Sequence, residues 1–237
     1  MAHDCIRRVA VNPASVSARP VSDSNRFFMV AGEIVLQTWP EIRKDHTPDC
    51  CLPACQVVKN LLKRYGYHGE LVQVTLAVWN QKMWAKAASG GTLETAEEIE
   101  RWRREGCYSV IIGHPLEPRA PGKIGCHFVV KATDGRQNLL LDTSLKQAER
   151  PRQDIFLPVG LMGSYALDEA PAVEFQFEQV VGKRVYLTYT LREKPDDFYK
   201  TSPDWMTERW MPVADRVFAR MQINFPLNQH FGFRRVD

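Results

Sequence analysis

The clearest helical pattern in the chain covers residues 49–65. Its apolar residues recur at intervals of three and four positions, which places them on one face of an α-helix. Asp49 suits the N-cap of this helix, and Gly66 suits the residue that ends it. The pattern therefore predicts an amphipathic helix with one face in the core.

Two further helices are predicted, one towards each end of the chain. Residues 25–39 have helical spacing of apolar side chains until Pro40, which is predicted to end the helix. Residues 203–222 form the predicted C-terminal helix, with a kink at Pro212. Residues 1–23 have no clear period and are predicted to form an N-terminal arm.

Alternation of apolar and polar residues predicts strands elsewhere. Residues 70–78 alternate and are rich in Val, which predicts a strand directly after the long helix. Residues 172–191 alternate on both sides of Gly182-Lys183, which predicts a β-hairpin. Helices and hairpins in one chain indicate an α+β fold, with the long helix packed on an antiparallel sheet.

A second hairpin is predicted in residues 123–144, which read KIGCHFVVKATDGRQNLLLDTS. Two apolar runs flank Asp134-Gly135, a dipeptide suited to the positive φ angles of a two-residue type I′ turn. Such a turn pairs His127 directly with Asp142, and opposed side chains of this kind have Cβ atoms roughly 5 Å apart. A carboxylate beside a histidine fixes its tautomer and stabilises its charged form. Two members of a catalytic triad are therefore predicted, and a nucleophile is needed to complete it.

Length, composition and charge narrow the class of protein. A chain of 237 residues with 44% hydrophobic and 25% charged residues suits one domain, residues 1–237. A net charge of +3 and the lack of a long apolar run predict no nucleic-acid partner and no membrane partner. The N-terminal sequence lacks the apolar segment of a signal peptide, so the six cysteines are expected to be reduced in the cytoplasm.

Three cysteines lie at the start of the long predicted helix: Cys50, Cys51 and Cys55. Thiols in a first helical turn lie near unpaired N–H groups and the positive end of the helix dipole, which favours the thiolate. The helical period places Cys51 beside the buried face, towards a packed sheet. The alternative is that all three are small buried core residues, as cysteines commonly are.

These stretches resemble the transglutaminase-like and arylamine N-acetyltransferase branch of the papain-like cysteine enzymes. The resemblance covers residues 49–80 and 123–145. Gly66 follows Cys51 by fifteen residues in CLPACQVVKNLLKRYGY, Asp142 follows His127 by fifteen, and LLLDTS closes the hairpin. It implies a papain-like fold in which Cys51 is the nucleophile, His127 the base and acid, and Asp142 the carboxylate that orients the ring.

The activity implied by the resemblance is acyl transfer from an amide or ester through a thioester on Cys51. Protein, peptide or small amide substrates are expected, and hydrolysis, transamidation and other acyl transfers all remain open. The oxyanion donors are expected to be the Cys51 backbone N–H and an upstream side chain, either Gln37 or Trp39. The Arg-Gly-Gly segment of the acetyltransferases is absent, and no cofactor is expected. The oligomeric state is left open.

Two other interpretations of the same residues remain. A catalytically inactive papain-like domain would use the pair formed by His127 and Asp142 only as a structural contact and would act as a protein-interaction module. Alternatively, zinc would be bound by a cluster with Cys107 or Cys126 as distant partners. The cluster consists of His46, Cys50, Cys51 and Cys55.

Overall fold

A computed structural model describes residues 23–45, 50–91, 95–113, 125–193, 195, 197–202 and 205–224. The predicted N-terminal arm, residues 1–23, lies outside these ranges except for Asp23, which begins the first helix. Within the described ranges no helix is both long and apolar enough to cross a membrane.

The described elements follow each other in a mixed order of helices and strands. The α-helices are α1 (Asp23–Asp45), α2 (Cys51–Arg64), α3 (Gln81–Ala88), α4 (Ala96–Arg104) and α5 (Met211–Asn224). The strands are β1 (His68–Asn80), β2 (Ser109–Ile112), β3 (His127–Thr133), β4 (Asn138–Asp142), β5 (Leu161–Ser164), β6 (Ala172–Val180) and β7 (Lys183–Leu191). Short 3-10 helices cover Leu145–Ala148, Pro151–Gln153, Asp197–Thr201 and Thr207–Trp210.

The strands form one antiparallel sheet in the order β5-β4-β3-β1-β7-β6, with β2 paired to β1. The long strand β1 lies at the centre of the sheet. Along one edge, its first half pairs with β3 and its second half pairs with β2. Along the other edge, its second half pairs with β7. Alternate residues of the central strands point to two separate cores. One core lies between the sheet and helices α1, α2 and α5, and the other is covered by residues 145–167. The α+β fold, with a helix packed on an antiparallel sheet, is confirmed at this level.

Helix α2 forms as its apolar period predicts. It begins at Cys51 with Cys50 as the N-cap residue, and Cys50 makes no side-chain cap hydrogen bond. The predicted N-cap, Asp49, lies outside the described residues. Gly66 follows the helix with φ of 80°, a conformation that costs glycine little. The packing of α2 against β1 and β3 brings its N-terminus to the start of β3.

The prediction that Pro40 ends the first helix is wrong, because α1 continues through it to Asp45. The residues beyond the proline explain why. Ile42 is fully buried, and the buried carboxylate of Glu41 pairs with Arg216 and Arg220 of α5. Proline removes one backbone hydrogen bond, and the packing and ion pairs of the last turn outweigh that loss.

The first hairpin forms, but its predicted register is wrong. Thr133 pairs with Asn138, so four residues connect the strands where a two-residue turn was predicted. A type I′ turn needs two residues with positive φ, and only Gly135 has one, at 85°. Asp134 instead accepts hydrogen bonds from the backbone N–H groups of Arg136 and Gln137, which stabilises the wider turn.

The second hairpin is confirmed, but its turn residues are Val181-Gly182 and not the predicted Gly182-Lys183, because Val180 pairs with Lys183. The predicted C-terminal helix over residues 203–222 is only partly right. The α-helix begins at Met211, after a 3-10 turn over Thr207–Trp210, and it ends at Asn224. Pro212 therefore lies in the first turn of α5, where its missing N–H is tolerated and no kink is required.

The backbone approaches the start of β3 closely at Gly113, and this contact gives a testable prediction. A Cβ at Gly113 would lie 2.6 Å from the Cα of Cys126, and φ there is +80°. A Cβ at Gly135, with φ of +85°, would meet open space. We expect Gly135→Ala to lower the free energy of unfolding by about 1–2 kcal/mol from the left-handed conformation alone. Gly113→Ala is expected to cost more, because the Cys126-His127 backbone must also move. Urea denaturation of both variants measures the difference, and equal losses would contradict the close approach.

Candidate active site

His127 and Asp142 meet at the ends of two neighbouring strands. His127 is the first residue of β3 and Asp142 the last of β4, and neither side chain is exposed to solvent. The His127 Nε2 and Asp142 Oδ2 atoms lie 2.7 Å apart. The predicted contact is therefore present, although the register that predicted it is not.

The observed register explains how this contact forms. Val130 pairs with Leu141, so continuing by one residue places Val129 opposite Asp142. Asp142 is then the diagonal neighbour of His127 on the same face of the sheet. Diagonal positions are about 7–8 Å apart, which a long planar side chain such as imidazole spans. The direct cross-strand pairing that we predicted from the turn is thus replaced by a diagonal one.

The Asp142 carboxylate receives hydrogen bonds on both oxygens. Besides His127, the hydroxyl of Tyr189 donates to Oδ2 over 2.9 Å. The backbone N–H and the hydroxyl of Ser144 donate to Oδ1 over 2.9 and 3.1 Å. A buried charge is tolerated when its lone pairs are satisfied in this way. The carboxylate is therefore held in one orientation towards the histidine.

Cys51 lies at the N-terminus of α2 with 7% of its surface exposed. Its side chain forms a hydrogen bond with the His127 ring, which is one of the causes of the raised pKa of that histidine. Because Nε2 is bonded to Asp142, Nδ1 is the ring nitrogen left for Cys51. The first N–H groups of an α-helix have no partner within the helix, and Cys51 and Leu52 are the first two residues of α2. The structure thus brings Cys51, His127 and Asp142 together from three separate elements.

The neighbouring cysteines have different surroundings. Cys50 is fully buried in the core between the helices and the sheet. Cys55 lies one turn after Cys51, and burial, followed by the charges of Cys51 and Asp142, raises its pKa well above the usual value. Cys55 is therefore a neutral core thiol, in line with the core alternative for that residue. Cys51 is the cysteine of the three that contacts His127.

His127 and Asp142 each change the pKa of the other. Burial by itself lowers the pKa of His127, but the charge of Asp142 and the hydrogen bonds to Asp142 and Cys51 outweigh it and raise that pKa to about 10. Burial raises the pKa of Asp142, but the charge and hydrogen bond of His127 give a net lowering. Both shifts favour an imidazolium beside a carboxylate at neutral pH.

The two predicted upstream oxyanion donors both lie within α1. The Gln37 amide donates to the Glu33 carboxylate one turn earlier, over 3.0 Å. Trp39 packs at the edge of the core, with the Arg43 guanidinium 5.5 Å above its ring. Neither of these contacts brings a donor to Cys51. Among the described groups, the backbone N–H groups at the start of α2 are the donors that lie beside the thiol.

Three residues of the site were not predicted from the sequence: Ser144, Gln147 and Tyr189. Gln147 lies in the 3-10 helix after β4, and its Nε2 is 3.2 Å from Nδ1 of His127. The Asp-Thr-Ser ending of the hairpin is a local signal for Ser144, because a serine two residues after an aspartate suits a turn that caps its carboxylate. Tyr189 lies on a distant strand and has no local signal. Its contact depends on the strand order alone.

The zinc alternative has no support within the described ranges. There, no group of three or more His, Cys, Asp or Glu side chains is arranged to hold a metal ion. His46, which that alternative uses, lies outside the described residues.

Removal of the Tyr189 hydroxyl tests its contribution to the site. Tyr189→Phe leaves the ring in place but deprives Asp142 of one donor, and hydrogen bonds to charged groups are worth about 1.5–3 kcal/mol. We expect the free energy of unfolding to fall by that amount in urea denaturation. Tyr165→Phe is the matched control, because Tyr165 is half-buried and contacts a charged group through its ring, with the Lys131 ammonium 4.8 Å from the ring centroid. If the control loses as much free energy of unfolding as Tyr189→Phe does, the hydrogen bond from Tyr189 to Asp142 does not contribute as proposed.

The coupled pair also predicts how stability depends on pH. Since the folded state raises the pKa of His127 from 6.5 to about 10, its stabilising contribution is complete below pH 6.5 and lost as the pH rises through 10. The lowered pKa of Asp142 gives a contribution that is present above its ordinary value and lost in acid. Asp142→Asn removes the charge that causes the first shift, so we expect its stability deficit relative to wild type to shrink between pH 7 and 10. Asp168→Asn is the control, because Asp168 is an exposed partner of Lys131. The stability deficit of Asp168→Asn should stay constant over that range. A deficit of Asp142→Asn that is equally independent of pH would contradict the ion pair between His127 and Asp142.

The assignment of the candidate site is based on its geometry alone. A thiol at a helix N-terminus, an imidazole and an oriented carboxylate follow each other in hydrogen-bonded order. Comparison of the chain with protein-family models, curated proteins and solved structures gave no match.

Proposed function

We propose that the protein is a cysteine-dependent acyl-transfer enzyme with a papain-like fold. The observation that carries the proposal is the convergence of Cys51, at the N-terminus of α2, with a fully buried His127 and Asp142. A cysteine nucleophile needs an imidazole within reach, and the imidazole needs an acceptor for its second nitrogen. Each of these requirements has a named residue here.

The proposed reaction begins with the Cys51 sulfur attacking the carbonyl carbon of an amide. The new S–C bond places negative charge on the carbonyl oxygen, and the backbone N–H groups at the start of α2 stabilise that charge. The C–N bond then breaks, and the proton on Nδ1 of His127 passes to the departing amine. A thioester on Cys51 and a neutral His127 remain.

The second half returns the enzyme to its starting state. Neutral His127 accepts a proton from water or from an acceptor amine, whose oxygen or nitrogen adds to the thioester carbon. The C–S bond breaks, which releases the acyl product and regenerates the thiolate beside a protonated ring. Asp142 remains ionised and holds the ring by Nε2 throughout. We propose protein, peptide or small amide substrates in the cytoplasm, and all five described cysteines are in the thiol form that a reducing compartment maintains.

One observation favours a second candidate, a catalytically inactive interaction module. His127 and Asp142 expose no side-chain surface, and Cys51 itself is only 7% exposed, so little of the three residues is open to a substrate. In an inactive module the pair would serve only to join β3 to β4. The two functions differ in the reactivity that they predict for Cys51.

Thiol labelling at graded pH separates these functions. Cys51 and Cys107 have the same exposed fraction, 7%, so a difference in their labelling by iodoacetamide reports chemistry and not access. We expect Cys51 to label at least about tenfold faster at neutral pH, because its sulfur lies beside the His127 ring and at a helix N-terminus, the surroundings of reactive cysteines. His127→Ala should remove this advantage and leave Cys107 unchanged. Equal rates for the two thiols, unaffected by His127→Ala, would favour the interaction module.

A further inference from the structure

Gln147 contacts the ring nitrogen of His127 that Asp142 does not use. The Asp142 carboxylate lies at Nε2, at 2.7 Å, whereas the Gln147 amide nitrogen lies at Nδ1, at 3.2 Å. Nδ1 also serves Cys51 and, in the proposed reaction, transfers the proton to the leaving group. Gln147 is therefore next to the position where the chemistry takes place.

The backbone holds Gln147 in this position from both sides. Its N–H donates to the carbonyl of Ser144 over 3.0 Å, and its carbonyl accepts a hydrogen bond from Arg150 over 2.9 Å. Ser144 in turn donates to Asp142 through its N–H and its hydroxyl. Asp142, at the end of β4, and Gln147, five residues later, thus contact the two nitrogens of the histidine ring from one short stretch of chain. The hydrogen bonds of Ser144 link the two residues.

The amide is the side chain that suits both protonation states of the ring. When His127 is charged, Nδ1 carries a hydrogen and needs an acceptor, which the amide oxygen supplies. When His127 is neutral with its hydrogen on Nε2, Nδ1 needs a donor, which the amide nitrogen supplies after a rotation of the amide. A carboxylate supplies only the first contact, and an apolar side chain supplies neither.

Gln147 also differs from the three triad residues in exposure. It is half-buried, whereas His127 and Asp142 are fully buried and Cys51 is 7% exposed. Gln147 is therefore the most exposed of these four side chains.

We propose that Gln147 is a positioning residue that keeps His127 directed at Cys51 through both half-reactions. This inference rests on the proposed acyl transfer. The amide retains the ring after the proton has left Nδ1, when the ion pair with Asp142 is lost and the ring is held least firmly. Gln147 thereby supports the step in which neutral His127 activates the second acceptor.

Two substitutions test this role with p-nitrophenyl acetate as the acyl donor. Burst release of p-nitrophenolate measures acylation of Cys51, and intact mass measures the decay of the acetyl-enzyme. Gln147→Leu removes both contacts, and we expect acylation and deacylation each to slow by at least about tenfold. Gln147→Glu retains the shape but adds a negative charge at Nδ1, which stabilises the charged ring. We expect deacylation to slow more than acylation, and its half-maximal pH to move upward.

Gln153→Leu is the matched control. Gln153 is half-buried in the next 3-10 turn, and its backbone carbonyl accepts a hydrogen bond from Asn80, remote from the ring. The control should retain wild-type rates and pH dependence. Gln147→Glu preserves the size of the side chain. If Gln147→Leu fails to fold, the difference between the acylation and deacylation rates of Gln147→Glu still tests the role of Gln147.

The outcomes separate this inference from the proposed function. If Cys51→Ala or His127→Ala leaves the burst intact, the acyl-transfer function itself fails. If those variants lose the burst while both Gln147 variants behave as Gln153→Leu does, the function stands and the role of Gln147 is refuted. A uniform loss in Gln147→Glu, without a change in its pH dependence, would show a purely structural contact and would also refute it.

Discussion

The buried carboxylate of Asp142 is the group on which the rest of the site depends. Its side chain has no exposed surface, and four donors from three parts of the chain satisfy it: His127 on β3, Tyr189 on β7, and the backbone and hydroxyl of Ser144. Such a charge is costly to bury without partners, so these contacts must form together. Strands β3 and β1 separate β4 from β7 in the sheet, and the Tyr189 side chain therefore crosses the face of the sheet to reach Asp142. The contacts of one carboxylate thereby link β3 and β4, on one side of β1, to β7 on the other side.

Local patterns were sufficient to predict the elements that carry the site. The apolar period of α2 and the glycine after it are properties of neighbouring residues, and so is the alternation of the hairpins. The contact between His127 and Asp142 was also predicted, but from the wrong register. Both registers place the two residues on the same face of the sheet, because the true one differs by two residues and side chains alternate with a period of two. A shift of one residue would have separated them.

The features that the sequence did not predict depend on contacts between distant segments of the chain. Tyr189 reaches Asp142 only because β7 pairs with β1, which no local pattern encodes. The continuation of α1 through Pro40 depends on ion pairs between Glu41 and α5, far along the chain. Propensity argues against the second outcome and does not bear on the first, and tertiary packing determines both.

The physical cost of the buried pair bears on the choice between an enzyme and an inactive module. Replacing a buried ion pair with apolar residues of similar volume is often neutral or stabilising, so burial of His127 and Asp142 is weak evidence for a role in stability. Joining β3 to β4 does not require charge, since Leu139, Leu140 and Leu141 already join these strands through apolar packing. A charged ring beside a thiol, with a partly exposed amide at the second ring nitrogen, is the arrangement that the proposed acyl transfer requires. Under that proposal, the polarity of this corner of the core serves a ring that gains and loses a proton beside Cys51.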